Sequence, residues 1–126
     1  MPRSGLLLLA LLEGRAFACS SGWTSYSSAC YYFESSSSTY TAAQSACEAL
    51  DSRASLACVN SATENDWLAS EADTNGLSGA WIGYTDSVSE GTWVWEDSTC
   101  TSSYENWDTN EPNGDDCAKL QVGSDT

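Results

Sequence analysis

The sequence predicts a small α+β domain, on three observations. Two helix-start signatures, Thr41-Ala42-Ala43-Gln44 and Ser61-Ala62-Thr63-Glu64, stand ahead of apolar positions in the first half of the chain. Short aromatic runs, Tyr31-Tyr32-Phe33, Trp81-Ile82-Gly83-Tyr84 and Trp93-Val94-Trp95, read as strands. All six cysteines lie after residue 18, the pattern of a disulfide framework in an oxidising compartment.

Residues 1–18 read as a secretory leader. Arg3 supplies the positive start, Leu6 to Leu12 the apolar run, and Ala16-Phe17-Ala18 a small-x-small cleavage site. The run is too short to span a bilayer. Cleavage after Ala18 makes Cys19 the new N-terminus and leaves one secreted domain over residues 19–126. From 19 to 33 the chain reads as a two-stranded start carrying Trp23, Tyr26 and Tyr31-Tyr32-Phe33. Cys19 and Cys30 stand at its ends, where a disulfide would staple a hairpin. The box opening at Thr41 predicts a helix with Ala43, Ala46, Cys47 and Leu50 on its buried face. Residues 51–55 read as a connector and Leu56 to Val59 as a short strand. The box at Ser61 opens a second helix, with Trp67 and Leu68 inward and a stop at Asn75-Gly76. A buried strand at Trp81–Tyr84 follows, then an alternating one over 91–95, a loop from Ser98, and a last strand over 118–122.

Charge narrows the function. The chain carries 18 acidic and 4 basic residues. Without Glu13, Arg3 and Arg15 of the leader, 17 acids face 2 bases, a formal charge of −15. Nucleic acid and anionic membranes both require basic surface, so neither is an expected partner. There is no His, which excludes Ser-His triads and His-containing zinc sites. The densest acidic stretch is Tyr104 to Leu120. Between Glu105 and Asp116 it packs five carboxylates and three side-chain amides with no base. A compact loop at that charge density requires neutralisation, and hard oxygen donors without His or thiolate favour Ca2+. Pro112 stiffens the loop, and Trp107 and Cys117 anchor its sides.

In order along the chain, Gly22-Trp23 between Cys19 and Cys30, Cys47, Asn60-Ser61 through Trp67-Leu68, Trp81-Ile82-Gly83-Tyr84, Asn106-Trp107, Glu111-Pro112-Asn113 and Asp116-Cys117 resemble the long form of the C-type lectin-like domain. The resemblance covers residues 19–126. It implies two helices, two small antiparallel sheets and a long-loop region, without enzymatic activity. It also implies a principal Ca2+ site in which Glu111, Asn113 and Asp115 ligate the metal while sugar hydroxyls join its coordination shell. Pro112, cis in the family's calcium-bound form, turns Glu111 and Asn113 onto one metal. Their Glu-Pro-Asn order goes with mannose-type sugars, and Gln-Pro-Asp with galactose-type. Asp86, Glu90 and Asp116 match an auxiliary Ca2+ site.

Two departures stand out. Only three residues separate Asn113 from Cys117, fewer than in many sugar-binding members, and Gly114 stands where an extra acidic ligand often lies. The family pattern also runs on to a Trp-Asn-Asp motif, two more cysteines and a last strand, so the resemblance implies a chain truncated before that motif. It pairs Cys19 with Cys30 and gives Cys47 and Cys117 partners beyond Thr126, leaving both unpaired here. Cys58 and Cys100 are not general family positions. Each flanks a segment placed by the resemblance near the long-loop region, and an extra bridge between them is expected on that basis.

The resulting expectation is a secreted, Ca2+-dependent lectin domain that binds mannose-type glycans or glycoproteins. The alternative is a non-sugar member of the same fold, binding ice, protein or mineral. High acidity suits the alternative, and the intact Glu111-Pro112-Asn113 opposes it. A glycosidase with paired carboxylates fits poorly, because nothing marks a buried acid beside an ionised partner.

Overall fold

The computed structural model describes residues 4–11, 19–36 and 38–122, with the backbone alone for 4–11. Seven strands and two helices follow in the order β1 (Ser4–Leu11), β2 (Thr24–Tyr26), β3 (Ala29–Glu34), α1 (Tyr40–Leu50), β4 (Ala54–Leu56), α2 (Ala62–Thr74), β5 (Gly79–Thr85), β6 (Val94–Trp95) and β7 (Cys117–Gln121). Two small antiparallel groups are present, the β2–β3 hairpin and the β6–β5–β7 group. Strand β1 lies between them and joins the strands into one sheet, pairing antiparallel with β3 and β4 and parallel with β5. Ser4–Leu11, within the segment that reads as a leader, is therefore a strand here; the rest of that segment lies outside the described residues.

The first helix departs from the sequence reading. Thr39, not Thr41, caps it: the Ala42 amide donates to Thr39 Oγ1 at 3.2 Å, and the helix starts at Tyr40. Gln44 is freed from a capping role, and its Oε1 accepts from the Leu56 amide at 3.1 Å. Ala43 and Cys47 are buried as expected, whereas Ala46 and Leu50 are exposed. The helix packs chiefly on the three-residue β4, so only its i, i+4 ridge is covered. Strand β4 also lies two residues earlier than the sequence suggests. Ala54 and Ser55 pair with β1, while residues 57–59 leave the ladder yet stay buried.

The second helix follows its sequence signals. Ser61 Oγ accepts from the Glu64 amide at 3.1 Å, and the Glu64 carboxylate accepts from the Asn60 amide at 3.1 Å. The helix stops where Gly76 takes φ +80°, a conformation that side chains with a Cβ rarely adopt. Its inner face carries the fully buried Leu68 and Ala72 onto Tyr31, Val59, Leu77, Ala80 and Leu120, the larger core cluster. Trp67 stacks on Tyr26 with ring centroids 4.3 Å apart. A smaller cluster under α1 gathers Cys30, Ala43, Cys47, Ala54 and Leu56. Between the clusters, β5 passes so close to β4 that a Cβ on Gly83 would lie 2.6 Å from the Leu56 carbonyl oxygen. Only glycine fits there, and its amide donates to the Ala57 carbonyl at 2.9 Å.

Candidate functional site

The site is built where the end of β5 meets the start of β7. Thr85 pairs with Cys117, its hydroxyl donates to the Asp116 carbonyl, and the Asp86 amide donates to the same carbonyl at 3.0 Å. These bonds place the Asp86 and Asp116 side chains together at the strand ends. The turn after β5 then folds back, with the Gly91 amide donating to Asp86 Oδ2 at 2.9 Å and Thr92 N to the Ser89 carbonyl. That turn delivers Glu90. Asp86, Glu90 and Asp116 each offer a carboxylate oxygen, and these oxygens lie within 4.8 Å of one another, the one such trio among the described residues.

Three carboxylates this close repel one another. The Asp86 charge, then desolvation, then Asp116 hold the Glu90 carboxyl above its usual range. Asp86 is only 4% exposed, and its Oδ1 has no hydrogen-bond partner among the described residues. Buried carboxylate oxygens are ordinarily partnered, so an orphan on a carboxylate grouped with two others fits a bound cation. An all-oxygen, all-carboxylate set suits Ca2+.

The second predicted group lies on the loop between β6 and β7. Rings and bonds hold its first half in place. Tyr84 stacks on Trp95 at 4.3 Å, and Trp107 meets Trp93 edge-on at 4.7 Å. Trp95 Nε1 donates to the Ser102 carbonyl at 3.1 Å, and Ser102 Oγ donates to the Val59 carbonyl at 2.7 Å. The Cys58–Cys100 disulfide ties the loop to the segment after β4. Tyr84 OH donates to Glu105, and burial, with that bond and the Glu105 charge, pushes its phenol up to about 12. Beyond Trp107 a turn forms, with Asn110 at φ 68° and the Glu111 amide donating to the Asp108 carbonyl at 3.0 Å. The Glu111–Pro112 bond is cis. Glu111, Asn113 and Asp115 are all exposed, and their side chains make no hydrogen bond among the described residues. Neither Glu111 nor Asp115 joins the Asp86 trio.

The cysteines divide as the sequence reading expected. Cys19–Cys30 and Cys58–Cys100 are bridged, while Cys47 and Cys117 are free. The aromatic box of Tyr84, Trp93, Trp95 and Trp107 was missed as a unit. Its signal was available in the alternation of Trp93 and Trp95, but the contribution of Trp107 crosses a loop. Two surface grooves lie elsewhere, beside α1. One, of about 390 Å³, is lined by Ala42, Ala46, Ala49 and Leu50 of the helix and by Glu34, Ser36 and Ser38. Among the described residues, no helix is long and apolar enough to cross a membrane.

Comparison with known proteins agrees with this architecture. The family model "Lectin C-type domain" matches residues 36–126. The human protein "C-type lectin domain family 17, member A" is 32% identical over 120 residues, 92% of this chain and 30% of that protein. The alpha-N-acetylgalactosamine-specific lectin of Patiria pectinifera is 31% identical, covering 79% of this chain and 63% of that protein. Among solved structures, the cow carbohydrate-recognition domain of CD23, determined in the presence of a GlcNAc2Man3 oligosaccharide, superposes with a TM-score of 0.72 at 31% identity, covering 82% of this chain and 79% of that one. The chain thus spans about a third to two thirds of the length of these curated relatives. On this match, the chain belongs to the C-type lectin domain family.

Proposed function

We propose that this chain is a secreted, Ca2+-dependent carbohydrate-binding domain with mannose-type preference, acting on glycans or glycoproteins without chemistry on the ligand. The observation that carries the calcium part is the orphaned, buried Oδ1 of Asp86, a residue whose carboxylate is grouped with those of Glu90 and Asp116. Bound calcium would supply positive charge that offsets this repulsion. Asp86, Glu90 and Asp116 would hold one ion and keep the ends of β5 and β7 together. Glu111, Asn113 and Asp115 would hold the other, with Glu111 and Asn113 exposed and their side chains making no hydrogen bond among the described residues.

Sugar choice follows from donor and acceptor order. The Glu111 carboxylate accepts and the Asn113 amide both accepts and donates. Two vicinal hydroxyls can each donate to one group and accept from the other only in one sense. Family membership alone does not decide the sugar: the Patiria pectinifera relative is named for N-acetylgalactosamine, and the cow relative was determined with a mannose-containing oligosaccharide. The order Glu111-Pro112-Asn113 supports the mannose-type reading. Secretion is supported by the leader-like residues 1–18 and the two disulfides.

The test is the swap Glu111→Gln with Asn113→Asp, read by calorimetric titration with mannose and galactose in Ca2+. It is run on this chain and on one extended through the Trp-Asn-Asp segment that the family pattern carries. The swap is expected to move preference from mannose towards galactose. Unchanged mannose affinity would remove this loop as the sugar site.

A further inference from the structure

Two of the chain's six asparagines, Asn75 and Asn113, are followed by glycine. An asparagine before glycine can close on itself, because the next backbone nitrogen has no Cβ beside it to block the side-chain carbonyl carbon. The fold treats the two pairs in opposite ways. Asn75 ends α2, where its Nδ2 donates to the Glu71 carbonyl at 2.8 Å. The nitrogen that would attack it, on Gly76, donates to the Asp73 carbonyl at 3.0 Å, and the Leu77 amide donates to the Ala72 carbonyl at 2.9 Å. Closing the ring there requires both the side chain and the attacking amide to leave their bonds.

Asn113 has none of these ties. It is exposed, and neither its side chain nor the Gly114 amide makes a hydrogen bond among the described residues. A Cβ on Gly114 would meet no atom within 4 Å, so the space around the attacking nitrogen is open. The other four asparagines precede Ser61, Asp66, Trp107 and Glu111, each of which puts a side chain beside that nitrogen. The carboxylates of Glu111, Asp115 and Asp116 flank the Asn113 pair and oppose loss of the Gly114 amide proton. All three are exposed, and solvent and salt screening limits their effect to roughly a few-fold. The bonds at Asn75 and Gly76 weigh more, roughly ten- to a hundredfold together.

We propose that Asn113-Gly114 is a self-modification site that sets the lifetime of the ligand loop. The Gly114 nitrogen loses its proton and bonds to Asn113 Cγ, while the Cγ–Nδ2 bond breaks and ammonia leaves with that proton. Solvent water then opens the cyclic imide. Cleavage at Cγ leaves aspartate, and cleavage at the main-chain carbonyl leaves isoaspartate, with the backbone rerouted through the side chain. Either product removes the amide donor and adds a negative charge between Glu111 and Asp115. Two acceptor-only groups cannot donate to a sugar hydroxyl, so the converted loop loses the pairing that Glu111 and Asn113 offer together. This consequence rests on the reading of Glu111 and Asn113 as the sugar-facing pair, whereas the conversion rests on the loop alone.

The test incubates the full chain at neutral pH and physiological temperature in chelator, and follows both sites by peptide mapping with isoaspartate labelling. A parallel sample in denaturant gives the rate of each site without the fold. Native Asn113 is expected to convert within roughly a few-fold of its unfolded rate, and native Asn75 roughly ten- to a hundredfold below its own. Equal slowing of both sites, or conversion of Asn75 ahead of Asn113, would overturn the proposal. Converted and unconverted chains, separated by charge, are then passed over immobilised mannose in Ca2+. Retention of the unconverted chain alone, with Asn113→Asp passing through like the converted one, supports the loss of binding. Equal retention of both would overturn it. If neither is retained, the sugar reading fails and takes the binding consequence with it, while the peptide map alone decides the modification.

Discussion

Replacing Asp86 by Asn tests the calcium site with little disturbance to the fold. The amide is isosteric, and its oxygen can still accept from the Gly91 amide that closes the turn at 2.9 Å. The strand-end bonds of Thr85 and Asp86 to the Asp116 carbonyl use the threonine hydroxyl and the backbone, so they persist. What changes is one of three carboxylates within 4.8 Å. An ion that binds only the folded state adds RT ln(1 + [L]/Kd), about 2.7 kcal/mol at a hundredfold excess over Kd. For a chain of this length that raises the melting midpoint by roughly 10 °C, at a few degrees per kcal/mol. If losing the buried ligand weakens binding about a hundredfold, the same calcium concentration adds only about 0.4 kcal/mol, or roughly 1–2 °C. In chelator the variant should melt close to the parent, or slightly above it, because repulsion with Glu90 and Asp116 is relieved. The assay is thermal unfolding by circular dichroism, with a calcium series and a chelator control. An equal calcium-induced rise in both proteins would refute the role of Asp86, and no rise in either would refute the metal site.

The disulfide and the free thiols give two further expectations. Replacing Cys58 and Cys100 together by Ala opens a closure over a sequence separation of 42; the chain-entropy relation gives a loss of about 4 kcal/mol, a large part of a small domain's stability. Denaturant unfolding should show it, and a loss below about 1 kcal/mol would mean that the aromatic box alone holds the 96–107 segment. Burial, then the Glu48 charge, push the Cys47 thiol up to about 12, and the side chain is fully buried. Its folded value lies above the ordinary one, so the group stays protonated at pH 8 and alkylates only after unfolding. Alkylation with mass mapping should modify the half-buried Cys117 first, and native-state modification of Cys47 at the same rate would contradict this.

Much of the architecture was legible because local chemistry and tertiary demand agree there. Ser61 and Glu64 form both a sequence signature and a pair of observed bonds, and Asn75-Gly76 both signals and terminates α2. Legibility failed where tertiary contacts chose between equivalent local options. Thr39 and Thr41 are both able to cap α1, and the first was selected as Gln44 was drawn to the Leu56 amide. Residues 57–59 have the composition of a strand but find no ladder partner beyond Ala57, whose carbonyl takes the Gly83 amide. The role of Ser4–Leu11 in the sheet was illegible for another reason. A leucine run satisfies the requirements of an export leader and of a strand paired on both edges alike, and periodicity cannot separate them. At the site, the offset of Asp86 and Glu90 from the Trp81 strand was readable and the structure groups both with Asp116, but the burial of Asp86 and its orphaned oxygen belong to the three-dimensional structure alone.

Retention on immobilised mannose tests the central claim most directly. The protein is applied in Ca2+, washed with galactose, and then washed with chelator. Binding through a calcium-held Glu111–Asn113 pair predicts retention through the galactose wash and complete release by chelator, with the Glu111→Gln, Asn113→Asp swap passing straight through. Failure to bind, or retention that survives chelator, would contradict it.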